Sequence, residues 1–372
     1  MNDEILQKGL DTCTFCPKLC YHACPVAKET SKEAHTPWGL VTLANLAHKR
    51  MIPFSGELAA NLYQCLDCLG CWSACDLNNN VPELLHPFRA RAFEEDLAPI
   101  PLYSFSHHFR EKNNPYGLDL AATVAELTKG MKVDGSKTAV YLAGCTTLSK
   151  SPQSVRAWIS LHEKLNIPCP PVFQEPVQCC GYPLYAAGDM AQFKDVAEMQ
   201  YQSFRDAQQI ISPLPECLYT MEKLYPKVGV RLKARKLHVT SYFAELLKQT
   251  RFISAEPREP VLYQDSCMLG RYLGNYETPR DLLIQRLGVQ LKEFSLHHDQ
   301  GTCCGAMLPF AALEPQTSQA IATDRMAEAP SRALQLVVTP SPQCAAHLKK
   351  GDATTRVMDF VDYLDSLIEP IR

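Results

Sequence analysis

A pattern of four cysteines that occurs twice constrains this chain more than anything else in it. Cys145, Cys179, Cys180 and Cys217 recur as Cys267, Cys303, Cys304 and Cys344, at offsets of 122, 124, 124 and 127 residues. Such a slowly drifting offset marks a duplicated unit. The surrounding sequence repeats in the same order. "TAVYLAGC" and "PVLYQDSC" are β-rich runs that end at a cysteine. "AWISLHEKLNI" and "RDLLIQRLGV" follow as amphipathic helices, and "QQIISP" and "LQLVVTPSP" as further strands. Strands alternating with helices predict two α/β lobes with largely parallel sheets. Ligands of such sheets gather at the carboxyl ends of strands. Cys145 and Cys267 stand there, and Cys217 and Cys344 lie a few residues beyond strand ends.

The remaining cysteines, one excepted, lie near the amino end. The chain has 17 in all, an odd number clustered at short spacings. The start "MNDEILQKGLD" has neither a positive nor an apolar segment of a secretory signal. This argues for reduced, metal-binding thiols over a disulfide framework. Cys65, Cys68, Cys71 and Cys75 have the spacing C-x2-C-x2-C-x3-C, the run of bacterial ferredoxins. Cys13, Cys16, Cys20 and Cys24 have one more residue in the middle gap and keep the following Pro25, whereas Asp76 stands where proline is usual in the second run. In two-cluster ferredoxins the fourth cysteine of each run ligates the other cluster. That scheme places Cys13, Cys16, Cys20 and Cys75 on one 4Fe–4S cluster. Cys65, Cys68, Cys71 and Cys24 take a second. Zinc also accepts four thiolates, but its sites do not need a fourth cysteine three residues after a triplet.

The rear groups share "CCG", in "QCCGYPL" and "TCCGAML". Adjacent thiols do not readily cap one tetrahedral ion together with two distant partners, but they can bridge or terminate the irons of an open cluster. Gly181 and Gly305 let the backbone turn tightly beside them. The two rear sets are thus candidate sites for one or two further iron–sulfur clusters. Cys169 stands alone and is expected to be a buried structural thiol.

Helical spacing in "PWGLVTLANLAHKR" and "PELLHPFRARAFEEDL" predicts two helices around the front cysteines, with Leu40, Leu43, Ala44 and Ala47 at helical spacing in the first and Leu84, Leu85, Phe88 and Ala92 on one face of the second. "APIPLYSFSHHFREKNNPYG" has no clear period and reads as a linker; "LDLAATVAELTKG" reads as a helix ended by Gly130. The expected architecture is an α+β multidomain chain. A helical two-cluster, ferredoxin-like domain spans 1–98 and a linker with a helix 99–135. Two duplicated Rossmann-like α/β lobes follow at 136–254 and 255–372.

Two ferredoxin-type runs followed by two "CCG" modules resemble the cysteine-rich (CCG) domain iron–sulfur subunits. These include the iron–sulfur subunit of glycolate oxidase and the cysteine-rich subunits of anaerobic glycerol-3-phosphate dehydrogenase and of heterodisulfide reductase. In heterodisulfide reductase the last cysteine of each module begins a C-x2-C pair, giving five thiolates for a non-cubane cluster. Here those positions are Thr220 and His347. The C-x2-H ending is closer to the glycolate oxidase protein, and the resemblance makes His347 either a nitrogen ligand of the second rear set or a helix-surface residue. It implies electron transfer between a flavoprotein that oxidises a 2-hydroxy acid or glycerol 3-phosphate and a quinone or other carrier. It also implies a cytoplasmic protein that reaches the inner face of the membrane through partners, one of them embedded in the membrane.

Two other readings stay open: a disulfide reductase working at a rear cluster, and a redox sensor with only the front clusters filled. No catalytic residue of its own is expected. His107 and His108 read as surface residues, Asp265 as a helix cap, and His297, His298 and Asp299 as a solvated loop that could donate protons. The net charge of −3, without a basic stripe, argues against a nucleic-acid partner. No G-x-G-x-x-G follows a strand, so a bound dinucleotide is not indicated.

Overall fold

The computed structural model of the chain describes residues 3–18, 20–131, 138–174, 178–256 and 259–371, so the boundary expected at 135/136 lies outside the described residues. The rear of the chain is built on two parallel sheets. β1 (Ala139–Tyr141), β2 (Gln209–Ser212) and β3 (Arg235–His238) form the first, in that order, and Val172 adds a parallel bridge to Tyr141. β4 (Ile253–Ser254) belongs to neither sheet. The second sheet contains β5 (Val261–Tyr263), β6 (Leu291–Glu293), β7 (Leu336–Thr339) and β8 (Arg356–Asp359), in the order β6-β5-β7-β8. β9 (Ile368–Glu369) returns to pair antiparallel with β4.

The order β5-β7-β8 repeats β1-β2-β3, and the Val172 bridge stands where β6 runs in the second copy. Every residue of β5 and of β7 is buried, as a parallel sheet covered on both faces requires. The helix after the last strand of each copy starts on a buried side-chain cap: His238 for Val239–Gln249 and Asp359 for Phe360–Leu367.

The front is helical. In Pro37–His48 the Thr36 hydroxyl accepts from the Gly39 N–H at 2.9 Å and a proline opens the first turn. Leu40, Ala44 and Ala47 of this helix are buried; Leu43 is half-buried. Val81–Glu94 buries Leu84, Leu85, Phe88 and Ala92, as its spacing predicts. The segment read as a linker is instead a helix, Ile100–Lys112. Its prolines sit before and within the first turn, where they start a helix, and Leu102, Phe105 and Phe109 form a buried stripe. His107 is exposed on it, while His108 is half-buried with Nδ1 2.9 Å from the Pro115 carbonyl. Among the described residues no helix is long and apolar enough to cross a membrane.

The front packs on both copies of the rear unit. The Tyr63 hydroxyl donates to the Ala187 carbonyl at 2.8 Å, and Gln64 donates to Glu314 at 2.7 Å.

Candidate functional site

The front cysteines surround two adjoining cavities. Cys13 lies in the last turn of the helix Asp3–Thr14, and Cys16 and Cys20 follow in the loop. With Cys75 and Cys71 they line the first cavity, beside Lys18, Trp38, Leu77 and Asn79. Cys24, Cys65, Cys68 and Cys71 line the second, with Val26, Leu40 and Leu66. The structure therefore brings together both quartets expected from the spacing, and Cys71 stands in the wall between them. Tight turns at Asp67 and Leu69, both at positive φ, direct the cysteines of the second run inward. Asn79 Nδ2 donates to the Cys13 sulfur at 3.1 Å, and the Asp67 N–H points at the Cys65 sulfur at 3.4 Å.

Burial pushes the Cys13 and Cys20 thiols up to about 11 and Cys24 up to about 12, with neighbouring cysteines adding repulsion. Burial also raises Cys65, with repulsion from Asp67, and Cys71, with repulsion from neighbouring cysteines. A metal centre reverses that preference, because a coordinating thiol is deprotonated outright. Among the described residues no carboxylate lines either cavity. A pure set of soft sulfur donors, in two quartets around adjoining cavities, fits iron–sulfur groups.

The loop of Cys65 and Cys68 is anchored by a buried ion pair that the sequence did not reveal. Arg89, 1% exposed, places Nη1 2.9 Å from Asp67, and its other donors reach the carbonyls of Leu62, Cys65 and Ala186. Ala186 lies in Tyr182–Ala187, the helix that follows the first "CCG".

Both rear quartets converge and are buried. In the first copy the Cys145 and Cys179 sulfurs are 3.2 Å apart, and Cys180 bonds Cys179, Cys217 and the Thr220 hydroxyl. Burial acts to raise Cys180, but those bonds and the Tyr182 N–H outweigh it and drive this thiol well down. Thr220 thus stands where heterodisulfide reductase has a fifth cysteine, with its hydroxyl beside Cys180 and its O–H donated to the Glu216 carbonyl at 2.7 Å. In the second copy Cys304 and Cys344 are 3.1 Å apart, and Cys303 contacts Cys267, Cys304 and, across the molecule, Cys68 of the front. His347 Nε2 is engaged by Ser318, 3.0 Å from its carbonyl and 3.1 Å from its hydroxyl.

Gly181 and Gly305 both have positive φ, +79° and +90°, and a Cβ on Gly305 would stand 2.7 Å from the Ser318 carbonyl. The two quartets face one interface. The helix Cys145–Lys150 packs on Pro342–Leu348, which carries Cys344, and Pro215–Tyr219, which carries Cys217, packs on the wide turn Met268–Tyr272 after Cys267. Tyr219 and Tyr272 meet there edge to face at 4.6 Å.

Cys169 is buried apart from these sets, with its sulfur 3.5 Å from the Pro170 carbonyl. Asp265 does not cap a helix. It holds Arg280 through two contacts of 2.8 Å and accepts the His298 N–H. His297 and Asp299 are exposed and His298 half-buried.

Comparison with known proteins agrees with the duplicated geometry. Residues 139–222 and 261–349 each match the CCG cysteine-rich domain. The chain carries two CCG cysteine-rich domains. Among its relatives, a polypeptide of the dihydromethanophenazine:CoB–CoM heterodisulfide reductase of Methanosarcina acetivorans is 25% identical over 369 residues, covering 92% of this chain and 89% of the relative. The "Probable iron-sulfur-binding oxidoreductase FadF" of Bacillus subtilis is 29% identical over 176 residues, 46% of this chain and 25% of the relative. A crystal structure of a hypothetical protein from Helicobacter pylori shares the fold, with a TM-score of 0.54, 11% identity and coverage of 91% of this chain and 71% of that one. The two CCG domains carry the "CCG" glycines and all eight rear cysteines within the matched residues.

Proposed function

We propose that this chain is the iron–sulfur electron-transfer subunit of a flavin-linked dehydrogenase complex. It passes electrons between a flavoprotein and a quinone or other carrier. The observation that carries the reading is continuity between cysteine sets. Cys71 lines both front cavities, and Cys303 of the second CCG domain touches Cys68 of the front. In this reading residues 1–98 form a ferredoxin-type domain, and 136–254 and 255–372 are the two CCG lobes. Iron–sulfur clusters held by the thiolates supply one-electron chemistry. The protein's own contribution is to hold the donors, to bury them, and to aim hydrogen bonds at sulfur from Asn79, the Asp67 N–H and the Tyr182 N–H. Phe15, Tyr21, Trp72 and Leu77 are exposed apolar residues among the outermost front cysteines, which supports partner docking at that end.

The relatives named for heterodisulfide reduction favour a second reading, with disulfide reduction at the rear interface. The hydroxyl of Thr220 and the imidazole of His347, in place of the fifth thiolates, weigh against it.

Anaerobic purification with iron analysis and EPR tests the proposal. About 8 Fe per chain corresponds to two filled front sites and about 16 to all four quartets. A flavin-bearing protein that copurifies supports the dehydrogenase role. Stoichiometric zinc without iron sinks the reading. Turnover of a disulfide by the chain alone with a one-electron donor would establish the second reading instead.

A further inference from the structure

Arg271 stands four residues after Cys267, on the wide turn Met268–Tyr272. Its Nε–H donates to the Cys68 carbonyl at 2.6 Å. Nη1 donates to the carbonyls of Asp299 and Gly301 at 2.9 and 2.8 Å. One guanidinium therefore ties the front loop that carries Cys65 and Cys68 to the loop that leads into Cys303 and Cys304. Next to it the Tyr272 hydroxyl donates to the Asp67 carbonyl at 2.7 Å, a second tie between the same two regions.

The charge on Arg271 is placed unusually. Arg89 is answered by Asp67, and Arg280 by Asp265 and Glu293. Among the described residues Arg271 has no carboxylate within ion-pairing distance. Burial works against that charge, and the groups that favour it are chiefly the sulfurs of Cys68, Cys267 and Cys303, from both sides of the front–rear contact. On the side of the first copy the corresponding tie is Arg89, whose charge Asp67 already answers. Four residues after Cys145 stands Ser149, an uncharged residue.

We propose that Arg271 is a positioning residue for electron transfer that makes the second CCG domain, not the first, the rear partner of the front. This deepens the electron-transfer reading and rests on it. A fixed positive charge favours whichever neighbouring redox centre has gained an electron, because reduction adds one negative charge. Arginine stays protonated at any working pH, so the bias is permanent. Clusters held by the quartet of Cys68 and the quartet of Cys303 would exchange one electron, one being oxidised as the other is reduced. No bond forms or breaks, and no proton leaves the guanidinium.

The test is an EPR-monitored redox titration of the anaerobically purified full chain, with Arg271→Gln and Arg271→Lys beside the wild type and iron measured in each. In Arg271→Gln the ratio of reduced to oxidised centre at a given potential falls about tenfold for at least one centre, equal to about 59 mV for a one-electron couple. Arg271→Lys, which keeps the charge but not the fork, stays much nearer the wild type. Loss of iron in Arg271→Gln alone, with Arg271→Lys unchanged in iron and potential, also supports the charge. Wild-type potentials in Arg271→Gln at full iron content overturn the inference and leave the functional reading intact. Loss of iron in both variants overturns it too, since the residue is then a support for the fold. Zinc in place of iron in the wild type overturns the functional reading itself.

Discussion

The two copies of the rear unit end their last strands on opposite chemistry. β3 ends in His238, 4% exposed, whose Nδ1 accepts the Thr240 N–H and whose Nε2 donates to the Pro213 carbonyl at 3.2 Å and reaches Pro340 of the second copy. β8 ends in Asp359, 1% exposed, which accepts the N–H groups of Val361 and Asp362 and the hydroxyl of Ser154 of the first copy. Each residue caps its own helix and reaches across to the other copy. The duplication has kept the backbone task and exchanged a base for an acid. The same divergence separates Ser149 from Arg271 and Thr220 from His347. Two lobes with one frame have thereby acquired different electrostatics around equivalent cysteines.

The largest expected difference lies in the buried ion pairs. Asp67→Ala leaves Arg89 charged, buried and without a carboxylate, at a cost of about 3–5 kcal/mol. The loss shows as faster amide exchange across Gly56–Leu62 and Val81–Glu94 in the otherwise intact protein. Asp265→Ala still leaves Arg280 on Glu293, 2.7 Å away, and costs about 1.5–3 kcal/mol. Equal losses in the two variants would mean that Glu293 does not compensate.

The caps sharpen the comparison through pH. Burial drives His238 from 6.5 down to about 4, against the pull of the Pro213 and Pro340 carbonyls. The unfolded chain then binds the extra proton between those values. Stability is complete above pH 6.5 and is lost as pH falls through 4. Burial, and then Asp362, raises Asp359 from 3.8 to about 7. Here the folded chain binds the extra proton. Stability is complete below 3.8 and is lost as pH rises through 7. Each limb has a slope of at most about 1.4 kcal/mol per pH unit. Hydrogen exchange as a function of pH is expected to weaken Val239–Gln249 on acidification and Phe360–Leu367 on neutralisation. His238→Gln flattens the first trend and Asp359→Asn the second. Both helices weakening in the same direction would show that the caps do not titrate as their burial requires.

The cysteine sets were legible because metal ligation fixes spacing, and spacing survives in a sequence. The alternation of strand and helix was legible because β1, β5 and β7 are short apolar runs, each leading to a cysteine. Ile100–Lys112 was not, since prolines at its start read as breakers when they are in fact first-turn residues. Arg89 and Arg271 were not legible either. Arg89 meets a partner 22 residues away and Arg271 one 203 away, and no local periodicity records such contacts. Asp265 misled for the same reason. Its position before Cys267 suggests a cap, but a tertiary partner, Arg280, takes the carboxylate. The wide turns Thr220–Leu224 and Met268–Tyr272, which follow Cys217 and Cys267, also leave no pattern, although such turns concentrate at functional sites.

The smallest expected effect concerns the one cysteine outside the four sets. Cys169 is as buried as the rear ligands, and burial raises its thiol to about 12. Burial and a raised thiol therefore do not distinguish ligand from filler. Company does. Cys145 has Cys179 at 3.2 Å, whereas the sulfur of Cys169 meets the Pro170 carbonyl and the Trp158 side chain, neither of them a soft donor. The second copy, moreover, has "LKE" of β6 in the corresponding strand and no cysteine. Cys169→Ala is accordingly expected to cost about 1 kcal/mol and to leave iron content unchanged. Cys180→Ala, in the same copy, removes the thiol that its contacts with Cys179, Cys217 and the Tyr182 N–H favour as thiolate, and lowers iron if the first rear quartet is filled. Iron lost from Cys169→Ala would instead make this thiol a ligand and break the symmetry of four and four between the copies.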